Sequence, residues 1–142
     1  MAQEAAYQKP IPAPDRFTEE FWAGASRHEL VIQRCDQCGH YQHPPMPLCS
    51  QCHSRELSSV PVSGRGTVHT FTVTFHAVVP GFQDEVPYAV GLIELEEQEN
   101  LRVLSNIVQT PPDQIKVGMP VEVVFDDIPN GMAIPKFRAR SS

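Results

Sequence analysis

Several signals are missing from this 142-residue sequence, and each absence closes a door. No apolar run approaches the roughly 18 residues needed to cross a bilayer, and residues 1–14 hold no apolar stretch of a secretory kind. A cytoplasmic chain without membrane contact is expected. No G-x-S-x-G elbow, glycine-rich phosphate loop or H-E-x-x-H pair occurs, so the familiar signs of nucleophilic, nucleotide and metallopeptidase chemistry are lacking. A basic excess is lacking too: 11 Lys and Arg face 17 Asp and Glu, a net charge of −6. Residues 1–60 carry 5 basic and 7 acidic side chains, net −2, and residues 61–142 carry 6 and 10, net −4. That balance argues against tight binding to nucleic-acid phosphates.

Cysteine is scarce, with four in all, but they are not scattered. Cys35 and Cys38 form one C-x2-C pair, Cys49 and Cys52 a second, with ten residues between the pairs. A tetrahedral ion needs four thiolates converging at about 2.3 Å, and a two-residue spacing lets one tight turn aim two sulfurs at one point. Gly39 stands where such a turn uses positive φ. The competing reading, two disulfides, requires a secreted chain. Structural Zn2+ is therefore expected, with iron as the chemical competitor for the same thiolates. Bound zinc would add a further charge of about −2. His40, His43 and His53 lie nearby in sequence and are not needed as ligands.

The remaining pattern predicts a mainly β protein. Residues 1–14 read as a flexible tail punctuated by proline. Residues 15–29 read as one helix, capped by Asp15 or Thr18, with Phe17, Phe21 and Trp22 on one face. That stripe is either core or a partner interface. Residues 30–34 are a strand leading into the first cysteine pair and residues 57–62 lead out of the ribbon, so 15–62 forms a helix plus a rubredoxin-like zinc ribbon. Residues 63–142 then carry five strands: one from Thr67, then 88–95, 101–108, 121–125 and 133–139. In the first, His69, Phe71, Val73, Phe75 and Ala77 are expected on the inner face and threonines outside. One or two helical turns at 111–115 and a turn at 126–131, marked by Asn130-Gly131, complete a five-stranded OB-fold barrel. Asp126 and Asp127, adjacent and therefore on opposite faces, make no shared acid–base site and read as a solvated turn.

An ordered set of features resembles the acyl-CoA-associated zinc-ribbon/OB-fold family, also known as DUF35. These are Phe21-Trp22, the run from Leu30 to Cys35, Cys38-Gly39, Pro44-Pro45, Cys49 and Cys52. Ser63 to Val68, Pro87 to Val90 and Ile115 to Val121 continue it, so the likeness spans nearly all of 15–140. The resemblance implies a small accessory subunit, not a catalyst by itself, beside a thiolase-fold protein acting on acyl-CoA thioesters. Thiolases, acyltransferases and retro-aldolases of steroid side-chain breakdown are such partners. It also implies a CoA thioester shared with that partner, for which Arg65, Arg102, Lys136 and Arg138 are the candidate cations. Met46 departs from the pattern, because members often carry an arginine there. A single-stranded nucleic-acid module is the alternative from another class, and an iron electron carrier a third.

Overall fold

The computed structural model describes residues 7–141. Asp15 opens the first element: its carboxylate accepts the amides of Phe17 at 2.8 Å and Thr18 at 2.9 Å, and these amides hold the Asp15 pKa below the usual carboxylate range. Residues 16–18 form only a turn, and α1 proper is Glu19–Ser26, shorter than the expected 15–29. The helix stops because the amides of Arg27 and Glu29 both reach back to Gly24 O and His28 takes φ 61. Gly24 allows close approach to the next strand, since a Cβ there would lie 2.7 Å from the Val31 side chain.

Three short strands follow: β1 (Val31–Cys35), β2 (Tyr41–Gln42) and β3 (Leu57–Pro61), in the order β2-β1-β3, all antiparallel. Then come β4 (Arg65–Thr74), β5 (Tyr88–Leu95), β6 (Arg102–Ile107), β7 (Pro120–Ile128) and β8 (Met132–Ala139). They close into a barrel ordered β4-β5-β6-β8-β7, in which only the β6–β8 contact is parallel. The connection between β6 and β7 contributes one 3-10 turn, Pro112–Gln114. Closure leaves no long free edge at this sheet.

Alternation in β5 is strict, with Ala89, Gly91, Ile93 and Leu95 inward. In β4 it is broken. The register shifts between Val68 and Thr70, so His69 is a bulge residue and the strand changes faces there. Gly66 and Val68 are buried before the bulge, while Phe71 packs against the core after it. The expected single inner face from His69 to Ala77 is thus wrong at both ends. His69 is exposed, and Phe75, beyond the end of the strand, is 65 % exposed. At the far hairpin, β7 runs on to Ile128, so Asp126 and Asp127 lie in the strand. Asn130 (φ 72) and Gly131 (φ 69) make the turn.

Phe137, Ile93, Leu95, Val68 and Val121 fill the barrel, and Leu30 and Ile32 from the β1 segment belong to the same buried cluster. Ribbon and barrel therefore share one core. Phe21 packs against that core and meets the His43 ring at 5.2 Å. Trp22 is half-buried edge-on to Phe21, and Phe17 is exposed beneath the Arg16 guanidinium. Among the described residues no helix is long and apolar enough to cross a membrane.

Candidate metal centre

The two cysteine pairs fold as near copies of one another. In the first, the Cys35 amide bonds His40 O and the Gly39 amide bonds Cys35 O, each at 2.9 Å. In the second, the Cys49 amide bonds Ser54 O at 2.9 Å and the His53 amide bonds Cys49 O at 3.0 Å. Gly39 (φ 79) and His53 (φ 63) hold the same left-handed position. The glycine was legible in the sequence. A histidine in that conformation was not, because only the twin geometry exposes it.

All four Sγ atoms lie within 4.8 Å of one another, and Cys35–Cys52 and Cys38–Cys49 are each 3.5 Å apart. An ion with bonds of about 2.3 Å needs a sulfur tetrahedron of edge about 3.8 Å, so the spacing fits. Cys35 and Cys49 are buried, Cys38 and Cys52 exposed. The amide of Cys38 points at the Cys35 sulfur at 3.4 Å, and this bond leads the effects that lower the Cys35 pKa to about 6. The Gln51 amide does the same for the Cys49 sulfur, and the Cys52 and Gln51 amides lower the Cys49 pKa. For Cys52 the Ser54 amide pulls downward, but desolvation and the three neighbouring thiols outweigh it and push the pKa up to about 12. Four thiols at one point cannot all ionise without a cation to gather them, and a divalent ion supplies it. With four protein ligands no coordination position stays open, so a zinc ion here holds structure.

None of His40, His43 and His53 joins the sulfur cluster among the described residues. His43 Nδ1 is buried with no hydrogen-bond partner, and desolvation lowers its pKa to about 4.

Three glutamines, invisible to motif reasoning, brace the ribbon. Gln42, 8 % exposed, donates Nε2 to Leu48 O at 2.9 Å and to Gln33 Oε1 at 2.6 Å, and its Oε1 accepts the Ser50 amide at 2.9 Å. The Gln33 side chain pairs with both the amide and the carbonyl of Met46. Gln98, from the β5–β6 turn, pairs in the same way with the backbone of Tyr41, at 2.9 and 2.8 Å. Each imitates a strand neighbour, completing backbone bonds that a strand this short leaves open.

The four candidate CoA cations all have carboxylate partners: Arg65 with Glu96, Arg102 with Glu94, Lys136 with Asp126 and Arg138 with Glu122. Arg65 faces Glu122 across β4–β7, and Glu122 faces Arg138 across β7–β8, which sets Arg65 and Arg138 in one row. Arg102 lies apart, on β6. Lys136 lines a cavity of about 310 Å³ together with Phe82, Tyr88, Asn106 and Thr110. Asp127 bonds His28 rather than any lysine or arginine, with His28 stacked on Phe125.

The model for the ChsH2 rubredoxin-like zinc ribbon domain matches residues 22–58, and that for the ChsH2 C-terminal OB-fold domain matches 59–126. A DUF35 domain-containing scaffold protein of Methanothermobacter thermautotrophicus is 37 % identical over 70 % of this chain and 73 % of its own length. The 3-oxo-4,17-pregnadiene-20-carboxyl-CoA hydratase alpha subunit of Mycobacterium tuberculosis is 40 % identical over 84 % of this chain and 37 % of itself. The chain spans 40 % or less of the length of the two hydratase alpha subunits it matches. The benzoylsuccinyl-CoA thiolase subunit BbsA of Thauera aromatica is 32 % identical over 55 % of this chain and 51 % of itself. The solved Ltp2-ChsH2(DUF35) aldolase contains a chain 36 % identical, with a TM-score of 0.82 over 91 % of this chain and 98 % of that one. Zinc ribbon and barrel are both matched in order, and relatives are matched along most of their length. The chain therefore belongs to the DUF35 family of ChsH2-type zinc-ribbon and OB-fold proteins.

Proposed function

We propose that this chain is a non-catalytic scaffold subunit of a thiolase-fold enzyme that makes or breaks a carbon–carbon bond in an acyl-CoA thioester. The observation that carries this reading is the likeness, along almost the whole of both chains, to the DUF35 chain of the Ltp2-ChsH2 aldolase. The chemistry of the residues supports it. Every thiol of the sequence sits in the metal cluster, so no cysteine is left to act as nucleophile. A metal with four protein ligands has no position for substrate.

Of the two chemistries, retro-aldol cleavage has the stronger support. The aldolase likeness covers 98 % of the matched chain, and the thiolase-subunit likeness covers 51 %. The steroid CoA thioester in the name of the mycobacterial relative points to a bulky polycyclic acyl group as the substrate class.

Contact with CoA itself is proposed at two places. The Arg65–Arg138 row offers two guanidiniums for phosphate, provided that a ligand outcompetes Glu96 and Glu122. Lys136 offers a largely buried ammonium that lines the cavity of about 310 Å³, provided that a ligand outcompetes Asp126.

Co-elution tests the proposal. The full chain, tagged in its native host, is expected to elute in constant ratio with a thiolase-fold protein identified by mass spectrometry. A chain that elutes alone, or that turns over acyl-CoA alone, defeats it.

A further inference from the structure

The two cysteine turns share one internal geometry but differ in what holds them from outside. Cys35 ends the central strand of the ribbon and pairs with Leu57 on β3. Just beyond it, the Asp36 amide bonds Glu56 O at 2.8 Å, and the Asp36 carboxylate accepts Ser58 Oγ at 2.8 and 2.9 Å. Arg34 donates Nε to Gly39 O at 3.0 Å, and its guanidinium lies over the Tyr41 ring at 4.8 Å. The first turn is therefore tied to all three strands.

The second turn has less. Cys49 and Cys52 lie in no strand, and their outer support is the Gln42 side chain, which holds Leu48 O and the Ser50 amide. From Gln51 to His53, apart from the sulfur cluster, no hydrogen bond leaves the loop among the described residues. The left-handed position differs too. Glycine adopts φ 79 freely at Gly39, whereas the Cβ of His53 opposes φ 63 and disfavours the closed turn by roughly fivefold or more. Sulfur exposure is matched and does not separate the two: Cys35 and Cys49 are buried, Cys38 and Cys52 exposed. A segment with few outside bonds and a strained turn opens before one pinned to paired strands.

We propose that the second turn is the gate of the metal centre: Cys49 and Cys52 release a bound divalent ion first and recapture it last, while Arg34 keeps Cys35 and Cys38 in place to hold it. Arg34 and His53 are positioning residues that set this order through the backbone, not ligands. The order is a property of the ribbon and holds whichever enzyme the chain serves.

Cysteine labelling tests it. The zinc-loaded full chain is pulsed with N-ethylmaleimide at low conversion, and the label on each cysteine is read by tandem mass spectrometry. Partners of equal burial are compared. Cys52 is expected to react at least about threefold faster than Cys38, and Cys49 than Cys35, since a loop that opens more often is labelled more often. His53→Gly should slow Cys49 and Cys52 by roughly fivefold, leave Cys35 and Cys38 unchanged, and slow zinc transfer to a chelating dye. Arg34→Ala should speed Cys38 and leave Cys52 unchanged. Circular dichroism confirms that both variants fold. A ratio below about threefold in either wild-type comparison overturns the gate, as does a change below about twofold at Cys52 in His53→Gly, or unchanged zinc transfer. His53→Gly slowing all four thiols alike shows one global opening and also overturns it. So does an Arg34→Ala variant in which Cys38 reacts no faster, or in which Cys52 speeds up as well.

Discussion

Gln42→Ala probes the ribbon where its sequence gives least warning. The side chain makes three hydrogen bonds, to Leu48 O, Gln33 Oε1 and the Ser50 amide, and is 8 % exposed. Each bond contributes about 1 kcal/mol net, and a buried group left without a partner costs about 1–3 kcal/mol. Leu48 and Ser50 are exposed, so water partly replaces the lost amide, and the total settles near 2–4 kcal/mol. Ser50 lies between Cys49 and Cys52, so part of the loss should register as weaker zinc retention. Urea unfolding of the zinc-loaded chain reads the effect: with slopes of about 1–3 kcal/mol/M, the midpoint should fall by about 0.7–4 M. Gln42→Glu separates the donor role from the acceptor role. It keeps an acceptor for Ser50 but turns a carboxylate toward two carbonyl oxygens, so it should destabilise at least as much as alanine at neutral pH. A Gln42→Ala loss under about 1 kcal/mol, or a benign Gln42→Glu, refutes the brace.

Other expectations follow the same logic. His53→Gly relieves a left-handed non-glycine residue and should raise stability by roughly 1 kcal/mol, measured by thermal melting; a lower midpoint contradicts the twin-turn geometry. Gln98→Ala should cost about 1–2 kcal/mol and raise hydrogen exchange at Tyr41, because the β2 edge loses its barrel partner. His43 has its folded pKa lowered to about 4, so the unfolded chain binds the extra proton; stability is fully present above about 6.5 and falls as pH drops toward 4. His43→Phe should flatten that slope, and an unchanged slope places the acid sensitivity elsewhere. Chelation should melt the ribbon and also lower the barrel's melting temperature, since Leu30 and Ile32 lie in the shared core; an unaltered barrel transition contradicts that single core.

The fold was legible where one physical cause dominates. Cysteine spacing announces the centre because four thiolates at that interval have few other uses. Strand β5 shows at its observed limits because an apolar run broken only by Glu94 lies between Pro87 and an acidic turn, and Asn130-Gly131 marks the β7–β8 turn through positive φ. What stayed hidden depends on partners distant in sequence. A bulge leaves no composition signature, so His69 reverses β4 unannounced. Gln33, Gln42 and Gln98 look like surface residues until the backbone they complete is in place. Phe21 and Phe17, one aromatic stripe in the sequence, part company because the helix starts late and only Phe21 reaches the core. Charge alone marks the four candidate cations, and charge cannot reveal that Glu96, Glu94, Asp126 and Glu122 already face them.

The central claim is that the chain assists a reaction it does not perform. Carbon–carbon bond turnover of an acyl-CoA thioester, assayed with the thiolase-fold protein alone, this chain alone and the two mixed, tests it most directly. The account predicts little activity from the first, none from the second and full activity from the mixture, lost again when Cys35→Ser breaks the metal centre. Full activity from the thiolase-fold protein alone, or turnover by this chain alone, contradicts it.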